Sequence, residues 1–87
     1  MIESKQALVE RFLRLAGEFE KSQNPVVGID LDDAAVALKR YLLTEEKNQV
    51  LASALSRLGK LIRNRDMGAY SNELDQIRQG LYRHPGQ

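Results

Sequence analysis

Val50-Leu51-Ala52-Ser53-Ala54-Leu55-Ser56-Arg57-Leu58-Gly59-Lys60-Leu61-Ile62 decides the fold class. Its apolar residues fall at Val50, Leu51, Ala54, Leu55, Leu58, Leu61 and Ile62. This is the three-and-four spacing of a helix turning about 100° per residue, not the alternation of a strand. Thr44 ahead of Glu45 and Glu46 reads as a helix cap followed by an acidic first turn. A helix is therefore predicted over 45–65.

The segments on either side follow the same period. Over 4–22, Leu8, Val9, Phe12, Leu13, Leu15, Ala16 and Phe19 gather on one side of a helix, opposite Glu10, Arg11, Arg14, Glu18 and Lys21. The i,i+4 pairs Glu10–Arg14 and Arg14–Glu18 add about 0.2–0.5 kcal/mol each. Asn24-Pro25 and Gly28 read as a break, with Pro25–Ile29 an apolar loop that plugs one end of the bundle or serves as a hinge for swapping the first helix between protomers. A second helix is predicted over 31–43, capped by Asp30, with Asp32 and Asp33 in its first turn. Leu31, Ala35, Leu38 and Leu42 form its core stripe, widened by Ala34, Ala37 and Tyr41. No Gly or Pro separates it from the next helix, so one bent helix is the alternative. Met67-Gly68-Ala69 reads as an interruption, and Ser71 as the cap of a fourth helix over 72–83 carrying Leu74, Ile77 and Leu81. His84-Pro85-Gly86-Gln87 reads as a flexible tail. The expected fold is all-α: one domain over 1–87, a compact bundle of three to four helices with antiparallel neighbours and short loops.

The 87 residues include no cysteine, which removes disulfides, thiolate metal sites and cysteine catalysis. A cysteine-free small domain suits a reducing compartment, and the N-terminus has no signal-like apolar run, so a cytoplasmic protein is expected. No apolar run approaches the roughly 20 residues of a membrane span. Net charge is +1, but residues 1–46 hold six Lys/Arg against nine Asp/Glu, while 47–87 hold seven against three. That polarity is suited to orienting a partner or a second copy.

Enzymatic chemistry finds little support. Asp30-Leu31-Asp32-Asp33 lacks the glycine and the further oxygen ligands of a calcium loop, and helix capping accounts for it. His84, the one histidine, has no nucleophile or orienting carboxylate in the surrounding sequence. There is no glycine-rich phosphate loop and no nucleophile elbow. A non-enzymatic protein is expected, with no cofactor, no bound metal, no small-molecule substrate and no membrane partner.

Two sets of residues stand out as binding candidates. Val36 and Leu43, seven apart, point away from the core stripe of the second helix, with Tyr41 nearby. A further helix of the same chain, a second copy, or a protein partner would cover such a stripe. Ala52, Ser56 and Gly59 lie off the core stripe of the third helix, where small side chains let another helix approach closely. Gly59 costs about 1 kcal/mol relative to alanine in a helix interior, which points either to a packing reason or to a tolerated surface defect. These six are the expected contacts of a protein-interaction module, homodimerisation included. The alternative is a nucleic-acid-associated regulator using Arg57, Lys60, Arg63 and Arg65. Against it stand the near-neutral total charge and the lack of an aromatic for base stacking on that face.

Overall fold

A computed structural model describes residues 4–83. Four helices follow one another: α1 (Lys5–Ser22), α2 (Pro25–Glu45), α3 (Gln49–Asn64) and α4 (Met67–Arg83). There is no strand among the described residues. Connections of two or three residues turn each helix back onto its predecessor, giving the expected all-α bundle with antiparallel neighbours. α1 packs on α2, α2 on α3 and α3 on α4, and a smaller contact between α1 and α4 closes the ring. The radius of gyration, 12.0 Å, matches the about 12 Å of a compact chain of this length. The tail expected at 84–87, with His84, lies outside the described residues.

Three helix boundaries differ from the sequence expectation, each for a local reason. α2 starts at Pro25, not after Asp30. Proline is at home in the first helical turn, where its missing N–H is not needed. Asn24 supplies the cap, its Oδ1 accepting from Val26 N at 2.9 Å. Pro25–Ile29 is thus helix rather than loop, and Asp30, Asp32 and Asp33 lie beyond the first turn. Thr44 does not cap α3 but belongs to α2, its Oγ1 donating back to the Arg40 carbonyl at 2.8 Å. Asn48 caps α3 instead, accepting from Leu51 N at 3.1 Å. α4 starts at Met67 rather than near Ser71, with Asp66 Oδ1 accepting from Ala69 N at 3.3 Å.

α2 and α3 are separate helices. Lys47 between them has φ 51°, and the Asn48 N–H closes onto the Leu42 carbonyl at 2.9 Å. Gln23 (φ 52°) and Arg65 (φ 56°) do the same work in the other two connections. A left-handed residue stops a helix whatever its side chain, though a non-glycine there costs about 1–2 kcal/mol. Asn48→Ala removes the α3 cap, and we expect a loss of about 0.5–2 kcal/mol in chemical denaturation.

The core is one cluster drawn from all four helices. Phe12, Leu31, Leu38, Leu42, Leu58, Tyr70, Leu74 and Ile77 are fully buried in it. Leu8, Phe12, Ala16 and Phe19 of the α1 stripe are buried, with Val9, Leu13 and Leu15 half-buried against them, and the stripes predicted for α2 and α4 are inside. In α3, Val50 is the exception: it sits in the first turn and is 79% exposed. Tyr70, one turn ahead of Leu74, adds to the α4 stripe and closes the ring. Its hydroxyl donates to the Ala16 carbonyl of α1 at 2.7 Å, and its ring meets Phe19 edge to face at 5.5 Å. Burial pushes the Tyr70 hydroxyl well above its usual range, Glu20 pushes it further, and Arg78 partly opposes them. The hydroxyl therefore stays neutral and keeps its donor proton.

Candidate interaction groove between α2 and α3

α2 runs 21 residues and buries only one side. Its opposite side carries Ile29, Val36 and Leu43, which are 64%, 38% and 41% exposed. Val36 and Leu43 are more than half covered, Val36 lying beside Leu55 and Ser56 of α3, and Ile29 stands out furthest. They stand seven residues apart. Such a spacing drifts only about 20° per step around a helix, so the three make a nearly straight apolar line. Ile29 joins Val36 and Leu43 because α2 begins a turn and a half earlier than expected.

Beside this line, α3 presents a low wall. Ala52 and Gly59 are buried and Ser56 is exposed, all on the flank facing α2. At Gly59 a Cβ would meet Asp32 Oδ1 at 3.0 Å, a tight contact with the end of a side chain that a small shift relieves. That carboxylate crosses over α3 to pair with Arg63 at 3.4 Å. The contact lies within the chain.

The wall and the line enclose three successive depressions. The first, about 280 Å³, lies at the Pro25 end and includes Ile29. The second, about 270 Å³, includes Val36, Ser56, Gly59 and Lys60. The third, about 280 Å³, includes Leu43 and Ala52. Asp32 and Arg63 border the first two, and Lys39 and Ser56 border the last two, so the depressions form one groove. A long open channel of this kind suits a helix or peptide.

Of the six predicted partner contacts, five line this groove: Val36, Leu43, Ala52, Ser56 and Gly59. Tyr41 does not; it is half-buried and packs against the core. Of the four basic residues, Lys60, Arg63 and Arg65 line this same groove, Arg63 and Arg65 in its first depression and Lys60 and Arg63 in its middle one, while Arg57 stands apart. Arg57 lies on the α4 side of α3, bonded to Glu73 at 2.5 Å. Arg63 is paired with Asp32, whereas Lys60 projects into the middle depression. Arg65, exposed, is the left-handed residue ending α3. A further depression of about 550 Å³ separates α3 and α4 and is lined by Arg57, Asn48, Gln76 and Gln79 among others. Among the described residues, no group of three or more His, Asp or Glu is placed to hold a metal ion. No helix there is long and apolar enough to cross a membrane. No protein-family model matches the chain, and it matches no curated protein and no solved structure.

Proposed function

We propose that this chain is a non-enzymatic protein-interaction module whose contact surface is the outer face of α2 and its groove with α3. One observation carries the reading: Leu43 is the one exposed leucine among the described residues, and it lies in line with Val36 and Ile29. Scattered apolar residues on a surface need no explanation, but an aligned apolar row beside a groove does. Asp32, Lys39, Lys60 and Arg63 border the row on its α3 side with charge of both signs, as a polar rim borders an apolar contact centre. Small side chains at Ala52, Ser56 and Gly59 support it by giving a helix room to settle. Regulatory or adaptor roles fit a module that holds a partner without chemistry of its own.

The test is the double variant Val36→Asp, Leu43→Asp. Val36 and Leu43 are 38% and 41% exposed, so we expect the fold to survive with a loss of about 2–3 kcal/mol. Affinity capture from nuclease-treated native lysate should then lose the partner held by the unsubstituted chain. Capture that persists in the folded variant would put the contact elsewhere. Capture abolished by nuclease alone would shift the assignment to a nucleic-acid role for Lys60, Arg63, Arg65 and Arg57.

A further inference from the structure

We infer that the outer face of α2 pairs with the same face of a second copy, the two α2 helices antiparallel about a two-fold axis through Val36. The inference rests on the reading of that face as an association surface and names its occupant. Ile29, Val36 and Leu43 are symmetric about Val36, so an antiparallel copy sets Val36 on Val36 and Ile29 on Leu43 at both ends. At about 1.5 Å per residue, this makes three apolar layers over about 21 Å.

The charges have the same symmetry with opposite sign. Asp32 and Asp33 lie on the N-terminal side of Val36, and Lys39 and Arg40 on the C-terminal side. Relative to the apolar line, Asp33 and Arg40 fall on one flank, and Asp32 and Lys39 on the other, from the helical repeat of about 100° per residue. A two-fold axis perpendicular to both helices brings each flank onto the same flank of the copy. Asp33 then faces Arg40 of the partner subunit, and Asp32 faces the partner's Lys39, each pair within about 1.5 Å along the axis. A parallel pairing would instead set Asp33 beside the partner's Asp32 and Arg40 beside the partner's Lys39, which repel. The face is thus complementary to itself in one direction only, as an isologous dimer contact requires.

Asp33 and Arg40 give the cleaner test. Both are exposed, and neither side chain enters an ion pair among the described residues, whereas Asp32 already pairs with Arg63. A single helix pair is a small interface, so the dimer should be weak and dependent on concentration. The experiment is sedimentation velocity from micromolar to near-millimolar protein on four samples: the unsubstituted chain, Asp33→Lys, Arg40→Glu, and an equimolar mixture of the two variants. Far-ultraviolet circular dichroism checks that each is folded. The unsubstituted chain should rise towards twice the monomer mass. Each variant alone sets like charges against each other twice and should associate roughly tenfold more weakly or worse. In the mixed dimer, the lysine introduced in one variant meets the glutamate introduced in the other, and the second flank pair keeps Arg40 against Asp33. The mixture should therefore recover the original affinity.

An unsubstituted chain that stays monomeric at every concentration would overturn self-pairing. It would leave the α2 face open to a different protein, which the Val36 and Leu43 substitutions test independently. Dimerisation unaffected by either variant, or a mixture no better than its components, would equally overturn this geometry.

Discussion

Phe12→Ala is expected to destabilise the protein by about 3–5 kcal/mol. Phe12 has no exposed surface and lies in the cluster shared by the four helices. Removing its ring leaves a cavity that the rigid packing around it fills only in part. A domain of this size is stable by roughly 4–13 kcal/mol in all, so this one change takes a large share of the total. Urea denaturation should show a lower midpoint with an unchanged slope, the mark of lost stability rather than a changed unfolded state. A loss below about 1 kcal/mol would mean that α1 does not dock through this face.

Tyr70→Ala should cost a similar amount, about 3–5 kcal/mol, because Tyr70 joins α4 to α1 where the ring of helices has its smaller contact. Tyr70→Phe separates the contributions. It keeps the edge contact with Phe19 and loses only the hydrogen bond to Ala16, a loss of about 1 kcal/mol. The pH dependence gives a second check. The folded hydroxyl titrates above its ordinary value of 10.0, so the unfolded chain releases this proton first as pH rises. Stability from Tyr70 is therefore intact below about pH 10 and declines above it. Tyr70→Phe has no such proton, so its stability gap to the unsubstituted protein should narrow above about pH 10. A gap that stays constant with pH would show that the hydroxyl is not held neutral by its burial.

The apolar period is enough to place the buried faces of α1, α3 and α4. Phe12, Leu58 and Leu74 are legible because only a helix puts them and their neighbours on one side. Helix ends are harder, since each turns on a residue with two meanings. Asn24-Pro25 signals a break inside a helix but an entry when Asn caps and Pro follows, and the chain uses the second. Thr44 bonds backwards to Arg40 instead of forwards as a cap. Gln23, Lys47 and Arg65 adopt the left-handed conformation without being glycine, so no glycine marks those turns. Tyr70 escapes the sequence reading because Met67-Gly68-Ala69 looks like an interruption, although its spacing of four from Leu74 carries the signal.

The groove is legible in halves. Val36 and Leu43 stand out by falling off the core stripe at an interval of seven. Ile29 follows the same interval but is hidden when its segment reads as a loop. That Ala52, Ser56 and Gly59 lie across from Val36 and Leu43 depends on how α3 packs on α2, which no local pattern encodes. Tyr41 separates from the set because it falls towards the core flank of α2. At Gly59 the near neighbour is Asp32 of the same chain.

Site-specific photo-crosslinking in cells tests the central claim most directly, with a benzophenone amino acid at Val36 and, as a control, at Glu18 on the exposed side of α1. A discrete crosslinked species is expected from position 36 and none from position 18. No crosslink at position 36, or the same species from both positions, would contradict the assignment of the outer face of α2 as an association surface.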